Sequence, residues 1–400
     1  MTVRGAILAL VTAGCGAASP TAPARAPAPV TVAAPLVPDG ASAEERVMLE
    51  LINDYRRRAG VAPVALDLAF SQGCREHASY LVINRGKPQL YHLNAHRQDP
   101  SLPGATPAGA ECGGASDITH NAPSLSAAVH GWMGTLLHRG PILAAYVDRV
   151  GVGSAQLPGG HHVVVLRFGI RRSTEGEQAT PFPADGQEGV RVDFIHEVPN
   201  PLPLPHADAG YPFTLAFWPP GEITDVSATF VRGAGTPVPF HLSTPEKPAS
   251  IYSPQQGLIG VIPVEGLQTS TRYTVTVKAT WNGKPRTWKS TFMTMNRLEV
   301  DAADKAALFD AVGQPILLRG VVDSASKISD GTISFKLAIA PGVPWYSVDV
   351  QAPLAMVKAL TKREPYAMKG MRLEVEGTPL SHISSSVLMP VKPWNRLRLQ

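Results

Sequence analysis

Histidine is the residue type whose placement is uneven. The chain holds 12, and eight of them (His77, His92, His96, His120, His130, His138, His161 and His162) fall between positions 77 and 162. Imidazole changes charge near neutral pH. When neutral it is a good ligand for zinc or copper, and a nearby carboxylate orients it. Two such rings and a carboxylate in one cleft could hold a divalent metal with an open position. They could also position a water for hydrolysis, or brace a loop by hydrogen bonds alone. Not every histidine qualifies. His77 falls on a helical pattern and is expected to pack and hydrogen-bond within its helix. His161 and His162 are adjacent in a strand pattern, so their rings point to opposite faces and cannot easily chelate together. Ser116, Ser124 and Ser126 lie nearby in sequence without a nucleophile-elbow pattern. Trp132 and Met133 read as core.

These side chains need elements to position them. Ser42 and Glu45 have the capping-box spacing, and Val47, Met48, Leu51, Ile52 and Tyr55 then recur at helical intervals. Arg56, Arg57 and Arg58 suit the negative C-terminal end of that helix, and Gly60 ends it. A second helix is expected over 67–84, with Leu68, Phe70, Cys74, Ala78 and Leu81 inward. Residues 86–120 read as loop. A third helix is expected over Ser124–Leu137, followed by strands at Val150–Ala155 and His161–Ile170. The order is that of an α+β unit.

The N-terminus carries Arg4, the apolar run Ala6–Val11, then Thr12-Ala13-Gly14-Cys15. This is the composition of a secretion signal, too short to span a bilayer. Small residues directly before Cys15 resemble the bacterial lipobox, with Thr12 where Leu is usual. The resemblance implies cleavage before Cys15 and lipid on its sulfur and amine. Residues 16–41 are Ala/Pro-rich and read as a semi-rigid tether. An exported chain meets an oxidising compartment, so Cys74 and Cys112 are a disulfide candidate, the alternative being two buried thiols. A net charge of +4 over 400 residues is unlike the concentrated basic face of a nucleic-acid binder, so no nucleic acid is expected.

The histidine-rich stretch resembles the CAP superfamily in its bacterial, SCP-like form. The matching residues are Leu51-Ile52-Asn53-Asp54-Tyr55-Arg56, Leu66-Asp67-Leu68-Ala69, His77-Ala78, Trp132 through Arg139, Ile142-Leu143 and Val150-Gly151-Val152-Gly153. The resemblance covers about 42–172 and implies an α/β/α fold with two histidines and acidic residues facing one cleft. His138 matches the second histidine. His96 matches the first, with His92 as alternative, and Glu111 stands at an acidic position whose neighbours differ from the family motif. The family's other acidic position has no counterpart, because Ser124–Leu137 contains no Asp or Glu. What the resemblance implies is a binding cleft at His96, Glu111 and His138, with zinc or another divalent metal on His96 and His138 left open.

The rest of the chain reads differently. Residues 173–189 are polar and Gly/Pro-bearing, as in a linker. Over 190–296, seven short strands suit a β-sandwich, and Leu267 through Val277 resembles an Ig-like or fibronectin type III pattern with a buried Tyr273 bonded back to its preceding turn. Asn282-Gly283 signals a hairpin. Over 297–400, three strands, a helix and two strands resemble the OB-fold order, a small β-barrel. Lys358, Lys362, Arg363, Lys369 and Arg372 there are diluted by acids and read as a solvated face. The composite reading is a multidomain lipoprotein, lipid-anchored in the bacterial cell envelope (periplasm or surface), touching the membrane only through its anchor. Its cleft binds an envelope lipid, polymer or extracellular ligand without catalysis. The alternatives are a metal-assisted hydrolase of peptide or envelope polymer, and a structural adhesion protein with a vestigial cleft.

Overall fold

The structure is a computed structural model, and it describes residues 37–170, 176–203, 208–249, 255, 257–339, 346–383 and 386–400. The signal-like segment, Cys15 and the tether up to residue 36 lie outside the described residues.

The first part contains helices α1 (Ala43–Arg58), α2 (Leu68–Ile83), α3 (Pro107–Gly113), α4 (Leu125–Met133) and α5 (Arg139–Leu143). Its strands are β1 (Ala65–Leu66), β2 (Ser116–Ala122), β3 (Val147–Gln156) and β4 (His162–Ile170), paired in the order β1-β3-β4-β2. Strand periodicity assigns the faces. Val163 and Val165 pack with Cys74, Ala78 and Leu81 of α2 and with Cys112 of α3. Val164 and Leu166 pack with Met48 and Ile52 of α1 and Val129 of α4. The sheet therefore lies between two helical layers.

The capping box at Ser42 and Glu45 forms in both directions. Arg56, in the last turn of α1 as expected, is fully buried. It donates to the carbonyls of Ala62, Ile142, Ala144 and Val147, tying α1 to α5 and β3. A planar guanidinium can satisfy several carbonyls at once, which offsets its burial. Cys74 and Cys112 form a disulfide, with Cα atoms 5.3 Å apart, joining α2 to α3. Gly151 and Gly153 are glycine because α2 crosses β3 there: a Cβ at Gly153 would strike the backbone of Cys74 and Arg75. The stretch 86–120 is not wholly loop. It contains α3 and β2, whose polar sequence Ser-Asp-Ile-Thr-His-Asn-Ala shows no strand alternation.

The middle part has two four-stranded sheets. One runs β5 (Gln178–Phe182), β6 (Phe213–Trp218), β10 (Leu258–Pro263), β9 (Phe240–Ser243); the other runs β12 (Lys284–Met293), β11 (Arg272–Trp281), β7 (Ile223–Arg232), β8 (Thr236–Pro237). β5 lies inside the stretch read as linker, where it pairs with β6 over five residues. Over 190–198, the start of the region read as a β-sandwich, only isolated bridges form, at Val190 and Asp193, and the Ile195 amide bonds the Gly134 carbonyl of the first part. Tyr273 is buried and its hydroxyl accepts from the Gln268 amide at 2.8 Å. Asn282 and Gly283 both have positive φ and link Trp281 to Lys284, a two-residue turn whose twist matches the strands. One apolar core runs through the first and middle parts, from Met48 and Trp132 to Phe213 and Trp281.

The last part has a separate core. Its sheet follows the order β18 (Leu380–Ile383), β19 (Ser386–Pro390), β16 (Ser347–Pro353), β15 (Thr332–Leu337), β14 (Ile316–Ser329), β17 (Arg372–Gly377), β20 (Leu397–Leu399), with β13 (Leu298–Asp301) also on β14. Among the described residues this path does not close into the expected barrel. The free edge of β17 is taken by β20 and that of β19 by β18, so β17 and β19 do not pair.

Candidate functional site

A cleft of about 890 Å³ opens where the three parts meet. Six histidines line it: His92, His96, His120, His130, His138 and His196, with Arg191 and Glu197 from the segment after the first part and Thr378 and Leu380 from the last.

His138 precedes α5, where the chain leaves α4 and free amides face one point. The Glu197 carboxylate occupies that point. It accepts from the amides of Leu136 (2.7 Å), Leu137 (3.0 Å) and His138 (3.3 Å), and its Oε2 lies 2.8 Å from His138 Nδ1. The Glu197 side chain is 1% exposed and that of His138 15%. Clustered backbone N–H groups of this kind hold an anion well. Burial alone would push the His138 pKa down. The Glu197 hydrogen bond, the Asp117 charge and the Glu197 charge outweigh it and lift the pKa to about 9. His138 is thus an imidazolium at neutral pH. The fully buried Asp117 of β2 is pushed up to about 7, by burial first, against the lowering charge of His138 and with the raising charge of Glu197. Its Oδ2 has no hydrogen-bond partner among the described residues.

His96 ends a 3₁₀ turn, His92–His96. Its Nδ1 lies 3.0 Å from the Gly113 carbonyl, which fixes Nδ1 as the donor and leaves Nε2 as an acceptor. Burial, partly offset by that bond, and the charge of His138 lower its pKa. The turn is held from behind by His77. That ring is fully buried, donates from Nε2 to the Ala95 carbonyl at 2.8 Å, and accepts at Nδ1 from Gln98 at 3.1 Å. Burial brings its pKa down to about 4. So His77 bonds across to the loop rather than within its own helix, and Gly113 is glycine because a Cβ there would strike the His77 ring. On the opposite wall, the Tyr55 hydroxyl lies 2.7 Å from His130 Nδ1, and burial with the charges of Arg191 and Arg58 lowers His130 to about 4.

The sequence-derived set is corrected in three respects. Glu111 does not join His96 and His138. It sits on α3 with a side chain 68% exposed, pairs with Arg167, and does not line the cleft. The β2 strand explains this: pairing with β4 sets Arg167 beside α3, where its guanidinium takes the carboxylate. His92 lines the cleft rim but is exposed, while His96 is half-buried. The zinc option on His96 and His138 does not fit these residues. Among the described residues no three His, Cys, Asp or Glu groups come together as a metal-ligand set. The acidic partner missing before His138 is supplied by Glu197, and Asp117, His120, His130 and Arg191 join it. Only the clustering of histidines signalled any of these.

An α/β/α layer with two histidines facing one cleft defines the class of the first part. Residues 49–168 match the family model described as CAP, the Cysteine-rich secretory protein family, so this stretch carries a CAP domain. No curated protein matches the chain. Among solved structures, an Entamoeba histolytica asparaginyl-tRNA synthetase in complex with asparaginyl-adenylate is similar at 15% identity and a TM-score of 0.18, over 26% of this chain. This chain covers 24% of that one.

Proposed function

We propose that this is an exported CAP-domain protein that binds a cell-envelope or extracellular ligand in the cleft between its three parts, without turning it over. One observation carries the reading: two ring nitrogens in the cleft are each fixed by a buried partner, His138 Nδ1 at 2.8 Å from the Glu197 carboxylate and His96 Nδ1 at 3.0 Å from the Gly113 carbonyl. Rings pre-set in this way give a ligand one charged donor and one acceptor with little ordering cost. CAP domains as a class suggest secreted-protein binding roles, which agrees.

The supporting structure extends the reading. The Cys74–Cys112 disulfide suits an oxidising compartment outside the cytoplasm. Together with the signal-like N-terminus it supports export, and the small residues before Cys15 support lipid anchoring there. The buried Tyr273 with its hydroxyl bond supports an Ig-like middle module, and the order β19-β16-β15-β14-β17 with parallel β16 and β19 supports an OB-like last one.

A hydrolase is the second reading, because a neutral imidazole and an imidazolium in one cleft are also a base and an acid. Incubation of the protein and of His138→Ala with envelope extract, followed by native mass spectrometry, separates the two. Binding predicts an intact ligand mass on the wild type that is lost from the variant. New cleavage products that depend on His138 would replace binding by hydrolysis. Mass spectrometry of the mature N-terminus tests the anchor: a diacylglyceryl mass on Cys15 is expected, and an unmodified Cys15 would refute it.

A further inference from the structure

The cationic side chain least accounted for in the cleft is Arg191. It lies beyond the matched CAP residues, on the segment that bridges toward the last module. It is half-buried, and its guanidinium donates to the Gly313 carbonyl. Gly313 itself lines the cleft, so the last module pins the guanidinium at the cleft wall. Among the described residues no carboxylate lies within ion-pair distance of it. The neighbouring acid is Asp193, whose Oδ2 accepts from Thr378 at 2.6 Å, while Lys392 pairs with Asp208. The other basic side chains here have carboxylate partners: His138 has Glu197, and His196 Nε2 lies 3.1 Å from Asp208. Among the described residues this half-buried guanidinium bonds one carbonyl, which leaves further N–H donors for a ligand, and its fork geometry suits a carboxylate or phosphate.

The surroundings set the rest of the ligand. Ala127, Ala128, Trp132, Ile195, Val312 and Leu380 supply apolar wall around the histidines. A cleft with a few placed polar groups on apolar walls takes a mainly apolar molecule oriented by its head.

We infer that Arg191 makes this cleft a site for an organic acid: an anionic carboxylate or phosphate head at the guanidinium and an apolar body along the Trp132–Leu380 wall. This rests on the binding reading above and names its ligand class. His130 provides a reporter. Its low pKa owes part of its depression to Arg191, so an anion seated there raises it.

The test uses the full chain and three probes: octanoate, its neutral counterpart octanamide, and inorganic phosphate. Calorimetry is expected to show octanoate binding at least tenfold more tightly than either of the others. Arg191→Gln should reduce octanoate to the octanamide level, and Arg191→Lys should restore part of it. Thermal melting checks that both variants fold, and the His130 ring resonances should shift their titration upward only when octanoate is bound to a chain carrying Arg191. Equal binding of octanoate and octanamide, or undiminished octanoate binding to Arg191→Gln, overturns the anion site while leaving the cleft a binding site. Phosphate binding as tightly as octanoate overturns the apolar body. Failure of all three probes, with no ligand mass retained from envelope extract, overturns the binding reading itself.

Discussion

Glu197 and His138 are 59 residues apart in sequence, and their side chains meet at 2.8 Å. The carboxylate comes from outside the CAP match and completes the CAP cleft from a later segment. Removing one member of such a buried pair leaves the other uncompensated. Glu197→Gln is expected to cost about 3 kcal/mol of stability, read as a lower urea midpoint.

The same pair sets a pH dependence. The folded His138 pKa of about 9 lies above the ordinary 6.5, so the folded state holds the proton more tightly. The stabilisation is therefore fully present below about pH 6.5 and is lost as pH rises through about 9, amounting to about 3 kcal/mol. Urea titrations from pH 6 to 10 should show this fall in the wild type and not in Glu197→Gln.

The Cys74–Cys112 disulfide closes a 38-residue separation and braces the α3 segment whose Gly113 carbonyl holds His96. Loop-closure entropy puts its contribution at about 4 kcal/mol. Cys74→Ser, or reduction, should lower the urea midpoint by that amount and weaken ligand binding together. Loss of stability with binding unchanged would show that His96 is held independently.

Arg139, adjacent to His138, is fully buried and donates to the carbonyls of Met133 and Pro212 while stacking 4.5 Å from the Tyr211 ring centroid. It joins the CAP domain to the middle sheets. Arg139→Met strips two buried carbonyls of their donor and should cost about 3 kcal/mol. Limited proteolysis should then cut between the two parts earlier than in the wild type.

Gly153→Ala tests the α2–β3 crossing. A Cβ there meets helix backbone, which cannot swing aside as a side chain can. The expected loss is about 3 kcal/mol in thermal or urea unfolding. An unchanged midpoint would mean that the helix stands further from the strand.

Much of the fold was legible because its elements carry local signals. The Ser42–Glu45 cap, the α2 periodicity, the Asn282-Gly283 turn and the Tyr273 corner each depend on residues close in sequence. β2 was not legible, since its side chains are mostly polar and only Ile118 and Ala122 are apolar. β5 was hidden in a Gly/Pro-bearing stretch, where a short edge strand has little alternation to show. At the site, His96 and His138 were legible through the family motif. Glu197 was not: its recognition of the Leu136–His138 amides is a tertiary contact with no spacing rule. Glu111 misled because its position matched a motif while its side chain took Arg167. Arg56 was legible as a basic residue at the helix end, but its burial was not, because only packing distinguishes it from Arg57 and Arg58.

The central claim is that Glu197 keeps His138 charged in the cleft. The direct measurement is an NMR titration of the His138 ring in the wild type and in Glu197→Gln. The expected result is titration near pH 9 in the wild type, falling to 6.5 or lower in the variant, where burial acts with less to oppose it. A wild-type His138 that titrates near 6.5, or one that keeps its raised pKa without Glu197, would contradict the account.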